Sequence, residues 1–88
     1  MKITKNASAG TYESSDAFVE IMPGQGGIEI ELESVVKKQF GDQIESATKE
    51  VLKEHDIDDC KVSIKDFGAI DCVLRARVCT AILRSLGE

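Results

Sequence analysis

The sequence predicts an α+β domain: a small single sheet of three to four strands, mainly antiparallel, covered on one face by two helices. Three patterns carry this. Two N-terminal segments alternate apolar and polar residues with the period of a strand. Two longer segments repeat apolar residues every three to four positions, the period of a helix. A further short alternating segment lies between those two, giving, with a candidate strand at the N-terminus, the order β-β-β-α-β-α. The 88 residues, 42% hydrophobic and 31% charged, suit one folded domain over 1–88 and lack the composition of disorder.

Each element follows from its residues. Residues 1–10 are small and polar, and the stretch 8–13 is a candidate first strand. Ala17, Val19 and Ile21 alternate with Phe18, Glu20 and Met22 in a strand that reaches Pro23. PGQGG is a turn signal, and the expectation is a hairpin into the next strand. There Ile28, Ile30 and Leu32 form an apolar face, and Glu29, Glu31 and Glu33 a solvated one. From Ser34 the period changes. Val36, Phe40, Ile44, Ala47 and Val51 share one face of a helix that ends near His55 and Asp56, with Gly41–Asp42 as either a kink or a restart. Cys60, Val62 and Ile64 alternate with Lys61, Ser63 and Lys65 in a last strand, followed by a turn at Asp66–Phe67–Gly68. The segment AIDCVLRARVCTAILRSLGE is a second helix closing near Gly87. One apolar sheet face needs covering, and two amphipathic helices supply the cover.

Charge and composition narrow the function. A net charge of −5 and a pI near 4.8 argue against binding nucleic acid or an anionic membrane. They suit basic protein partners, whose encounter the opposite charge steers. No apolar run approaches the roughly 20 residues that cross a bilayer, and MKITKNASAG has no hydrophobic core of a secretory signal. Three cysteines at irregular spacing fit reduced thiols in a cytoplasm.

Several local signals have plain explanations. GQGG lacks the phosphate-loop pattern and joins two strands. Asp66–Phe67–Gly68 spells a kinase tripeptide in a chain far too short for a kinase. His55 is the sole histidine, the cysteines offer no metal-ligand spacing, and no catalytic triad can be assembled. At the end of a helix His55 interacts well with the negative dipole end. The final helix is less ordinary. Ile70, Val73, Leu74, Val78 and Ala81 gather on the side that covers the sheet, while Cys72, Ala76, Cys79, Leu83 and Leu86 gather opposite. That second side, marked by Cys72, Cys79 and Leu83, packs either on the other helix or on a partner subunit. Arg77 falls near the apolar stripe and extends its head to a carboxylate or to water.

The stretch TYESSDAF sets Ser14 and Ser15 between Glu13 and Asp16. Serine and aspartate make turns and caps by bonding nearby backbone amides. A flanked hydroxyl is also a substrate for phosphorylation, or for attachment of a post-translational arm.

The whole chain resembles the acyl carrier proteins of bacterial citrate lyase, the small γ subunit. Three blocks carry the likeness, in order. Ala9-Gly10-Thr11-Tyr12-Glu13-Ser14-Ser15-Asp16 is similar to the attachment segment AGT-x-ES-G-D. Val35-Val36-Lys37-Lys38-Gln39-Phe40-Gly41-Asp42 is similar to the KQFGD helix start. Asp66-Phe67-Gly68-Ala69-Ile70-Asp71-Cys72-Val73-Leu74-Arg75-Ala76-Arg77 is similar to D-x-GA-x-DC-x-LRAR. Ser15 departs from the pattern by standing where the family has glycine, so a second hydroxyl adjoins the first.

The resemblance implies a carrier without catalytic residues of its own. The family's modified serine falls on Ser14, with Ser15 as runner-up should the register slip. It implies 2'-(5''-phosphoribosyl)-3'-dephospho-CoA joined through a phosphodiester, whose thiol presents acetyl and citryl thioesters to an α (transferase) and a β (lyase) subunit. Loading by a prosthetic-group transferase is implied too. Glu13 and Asp16 would repel an attached phosphodiester and attract basic rims on partners. The alternatives are the carrier subunit of malonate decarboxylase, with the same kind of group, and a non-catalytic regulatory or scaffold module.

Overall fold

A computed structural model describes residues 2–34 and 37–87, with side chains undescribed from 37 to 40. The strands are β1 (Ala7–Gly10), β2 (Ala17–Met22), β3 (Ile28–Ser34) and β4 (Cys60–Asp66); the helices are α1 (Lys37–Glu54) and α2 (Asp71–Ser85). The α+β class and the element order are as the sequence predicts.

The four strands form one sheet in the order β1-β2-β4-β3. β1 pairs antiparallel with β2, and β2 antiparallel with β4. The expected hairpin between β2 and β3 does not form, because β4 lies between them and pairs parallel with β3. The side chains supply the reason. Strand β4 alternates without a break, with Cys60, Val62 and Ile64 fully buried, and so belongs in the centre. Strand β3 exposes Glu29, Glu31 and Glu33 and belongs at an edge. The parallel register sets Glu29 beside Lys61 and Glu33 beside Lys65, and Lys61 pairs with Glu31 at 3.0 Å. Opposite charges across neighbouring strands stabilise that pairing. A parallel neighbour needs a crossover, and α1 provides it.

The helices cover one sheet face: α2 against β1 and β2, α1 against β3, with the two helices in mutual contact. Between the layers lie Ala9, Ala17, Val19, Ile21, Val62, Ile64, Val51, Val78 and Ile82. Each fully buried Val or Ile contributes about 1.5–3 kcal/mol by leaving water. Ile28, expected on this face, begins the edge strand and is 38% exposed.

Helix α1 runs unbroken through Gly41–Asp42, so the helix does not restart there. Ile44, Ala47 and Val51 are buried as their spacing requires, and Thr48 and Leu52 widen the stripe. The buried Thr48 hydroxyl donates to the Ile44 carbonyl at 2.8 Å. Val36 and the Phe40 side chain lie outside the described residues. The helix closes where Asp56 turns left-handed (φ 59°) and Ile57 N–H donates to the Leu52 carbonyl at 2.9 Å, a Schellman ending with Ile57 tucked into the core.

In α2, Leu74, Val78, Ala81, Ile82 and Ser85 are buried. Ile70 is a correction: it precedes the helix in extended backbone and is exposed, so its place on a helical wheel does not apply. Arg75 joins the helices, bonding Asp71 at 2.6 Å and Glu50 of α1 at 2.8 Å.

Candidate functional site

The loop between β1 and β2, residues 11–16, carries both serines. The hairpin of this fold is therefore the one that precedes β2. Ala9 is buried under the sheet's cover. Gly10 has φ 103°, and a Cβ there would run into the Ala17 carbonyl, so only glycine fits. Thr11 Oγ1 donates to Asp16 Oδ2 at 2.6 Å and accepts from Glu13 N–H at 3.2 Å. Asp16 N–H then donates to the Glu13 carbonyl at 3.2 Å, which closes the four-residue turn 13–16.

Ser15 occupies the third position of that turn with φ 66°. This is the left-handed region that favours glycine and costs other residues about 1–2 kcal/mol. The attachment segment that this stretch resembles has glycine at this place, a residue that suits this backbone conformation. The turn is also stitched to the far end of β4: Ser15 N–H donates to the Phe67 carbonyl at 2.8 Å, and Phe67 N–H to the Asp16 carbonyl at 2.9 Å.

Asp16 holds the assembly. Its Oδ1 accepts from Ala17 N–H at 2.7 Å and from Arg77 Nε at 2.9 Å. Its Oδ2 accepts from Arg77 Nη2 at 2.8 Å as well as from Thr11. The two-pronged arginine contact, then Thr11 and the Ala17 amide, hold the carboxyl far below the usual carboxylate range. Its side chain is only 13% exposed. The sequence leaves the destination of Arg77 open between a carboxylate and water; it is Asp16, 61 residues away. The repulsive part expected of Asp16 towards a phosphodiester therefore gives way, because the guanidinium compensates its charge. Glu13 is left as the exposed acid of the turn.

Ser14 sits at the second position of the turn, exposed. Around it Gly10, Thr11, Ser15 and Asp16 shape or bind the loop through backbone or side chain. The hydroxyl of Ser14 has no hydrogen-bond partner among the described residues. A braced turn holds it outward.

The tripeptide Asp66–Phe67–Gly68 has three structural tasks. Buried Asp66 accepts from Ala69 N–H at 2.9 Å and from the Ser34 hydroxyl at 2.8 Å. Phe67 stitches the serine turn, and Gly68 turns the chain at φ 94°.

The other side of α2 is divided. Cys79 is half-buried, with its sulfur 3.7 Å from His55 Nε2, while His55 Nδ1 donates to the Val51 carbonyl at 3.0 Å near the end of α1. Cys72 is exposed and Leu83 is 37% exposed. Helix packing within this chain thus accounts for Cys79 and leaves Cys72 and Leu83 open. Among the described residues no three His, Cys, Asp or Glu side chains gather as a metal site. No described helix is long and apolar enough to cross a membrane.

A small domain that braces one loop so firmly and leaves its two serine hydroxyls, Ser14 and Ser15, exposed and without a hydrogen-bond partner among the described residues has the form of a carrier. The chain belongs to the acyl carrier family whose model is described as malonate decarboxylase delta subunit, matched over residues 4–85. It is 53% identical to the citrate lyase acyl carrier protein of Cronobacter sakazakii over 97% of this chain and 88% of that protein. With the protein of the same name from Haemophilus influenzae it shares 51% over its full length and 92% of the relative. A chain in the crystal structure of a Pseudomonas malonate decarboxylase hetero-tetramer in complex with malonate superposes with a TM-score of 0.83 at 22% identity, over 97% of this chain and 88% of that one. At that identity the likeness is one of fold.

Proposed function

We propose that this chain is the acyl carrier subunit of a citrate lyase, with a CoA-derived prosthetic group joined to Ser14 through a phosphodiester. The single observation that carries the reading is the exposed, unbonded hydroxyl of Ser14 at the second position of a turn braced by Thr11, Asp16 and the backbone of Phe67. The fit is chemical as well as steric. A phosphodiester at Ser14 would adjoin one uncompensated carboxylate, Glu13, because Arg77 neutralises Asp16. Ser15 is the weaker candidate, since its left-handed backbone is the place of the family's glycine and its amide is held to Phe67.

When attached, 2'-(5''-phosphoribosyl)-3'-dephospho-CoA supplies a long arm ending in a thiol, which holds acyl groups as thioesters. The rest is the work of the protein. The Asp16–Arg77 pair and the Phe67 stitch fix the root of the arm, and a tethered thiol reaches its partner sites as an effectively intramolecular reactant. Glu13 and the acidic surface guide basic rims of the α and β subunits, and a transferase reads the exposed turn. Cys72 and Leu83 on the open side of α2 are a candidate contact with those subunits. The place of action is the cytoplasm.

The likeness in fold to a malonate decarboxylase chain favours one second reading, the carrier of that enzyme. Identity near half with citrate lyase carriers supports the first. Reconstitution separates them. The loaded chain should restore citrate cleavage to citrate lyase α and β subunits. Restoration of malonate decarboxylation alone would reverse the assignment.

A further inference from the structure

Tyr12, Phe18 and Phe67 are all the aromatic residues of the chain except Phe40. None of the described core residues is aromatic. Aromatic rings bury large areas and ordinarily serve the core; here three of them gather outside it. Phe18 points from β2 to the sheet face that carries no helix, opposite the buried Ala17 and Val19. Tyr12, 59% exposed, stacks on Phe18 at 4.8 Å between centroids and meets Phe67 edge-on at 5.8 Å. Lys65, the cross-strand neighbour of Phe18, holds its ammonium 5.6 Å from the Tyr12 ring centroid. Glu33 is its neighbour on β3, but Lys65 forms no ion pair among the described residues.

We infer that this cluster is a resting dock for the purine nucleotide part of the arm: the base stacks on Tyr12, and Lys65 pairs with a phosphate. The inference rests on the carrier reading of Ser14. Three observations lead to it. The ring lies two residues before Ser14, and Phe67 is bonded to Ser15, so dock and attachment point form one rigid unit. Phe18 and Phe67 hold the exposed ring in place, so little freedom is lost when a base stacks on it. Lys65 makes no ion pair among the described residues although Glu33 is its cross-strand neighbour, so its ammonium can still take an anion. Together a ring and a cation match a nucleotide's two halves, as in stacking platforms for single-stranded nucleic acids. A docked nucleotide end would fix the base of the arm and leave its thiol end to reach partner sites.

Tyr12 is the sole tyrosine and tryptophan is absent, so tyrosine emission reports on this ring alone. The experiment compares loaded and unloaded whole protein, with intact mass recording the adduct separately. Base stacking favours the docked arm by about fivefold or more, so most Tyr12 emission should be quenched in the loaded form. Phosphodiesterase release of the arm should restore it. The ring protons of Tyr12, Phe18 and Phe67 should shift on loading. Lys65→Gln should weaken the quenching and its salt dependence while leaving the adduct mass intact. Unchanged emission and unchanged ring shifts in protein of proven adduct mass would overturn the dock and leave Ser14 untouched. Ring shifts that arise only when α or β subunit is added would overturn it in favour of a protein contact. Absence of any adduct mass would remove both readings together.

Discussion

Two loops flank β2, and their chemistry differs in an instructive way. Both are organised by an aspartate: the loop before β2 by its own Asp16, and the loop after it by Asp59, which immediately precedes β4. The loop after β2 passes over the end of β4, where Asp59 Oδ1 accepts from Gly26 N–H at 3.1 Å. Gly24 runs so close that a Cβ would meet the Asp59 carboxylate and the Cys60 backbone. Gly27 N–H donates to the same oxygen at 3.4 Å and Cys60 N–H to the Gly27 carbonyl at 3.0 Å; these bonds are local to the crossing, and the loop carries the chain past β4 to the edge. The loop before β2 is braced by a neutralised ion pair, a threonine and two backbone bonds to Phe67. Such bracing exceeds what a six-residue connection needs, and it leaves the Ser14 and Ser15 hydroxyls exposed. The difference separates a loop that makes topology from a loop that presents a group.

The largest effect that would break this contrast is steric. Gly10→Ala puts a methyl group on the Ala17 carbonyl at a left-handed position. It should cost about 3 kcal/mol or more in a denaturation series. Gly26→Ala, with nothing near the added methyl group, should cost distinctly less.

Next is the ion pair. Arg77→Leu should lower amide-exchange protection of Ser15 by about tenfold or more, while Gly27 in the other loop keeps its protection. Equal loss at both would erase the contrast. The pair also sets a pH dependence. The folded carboxyl of Asp16 lies below its ordinary value of 3.8, so its stabilisation is complete above that value and is lost only as the pH falls below it. Carboxyl carbon shifts should show no Asp16 titration step near 3.8.

Ser15→Gly acts in the opposite direction. Relief of the left-handed serine should raise stability by about 1 kcal/mol, measured as a midpoint shift in denaturant. The smallest effect belongs to Leu83→Ser, which should change the isolated domain by less than about 1 kcal/mol. A larger loss would mean that this side chain serves the core and not a partner.

Periodicity made most of the fold legible. Ala17, Val19 and Ile21 in one strand, and Ile44, Ala47 and Val51 in one helix, are buried where their spacing requires. Strand order was not legible, because PGQGG has the composition of a hairpin whether or not a third strand intervenes. The cue lay in β4, whose Lys61 and Lys65 complement the glutamates of β3, but charge complementarity does not by itself announce adjacency. At the candidate site, Ser14 and its flanks stand out by chemistry and by resemblance. The Asp16–Arg77 pair could not, since a wheel shows that Arg77 needs a partner without saying which. The aromatic cluster was not legible either, because Phe67 reaches Tyr12 only once β4 lies beside β2.

The central claim concerns Ser14, and mass spectrometry addresses it directly. The chain is expressed with the prosthetic-group transferase as wild type, Ser14→Ala and Ser15→Ala, and each intact mass is recorded, with peptide mapping of any adduct. The account predicts a CoA-derived increment on the wild type and on Ser15→Ala, mapped to Ser14, and none on Ser14→Ala. An increment that survives Ser14→Ala, or a wild-type chain that gains no mass, would contradict it.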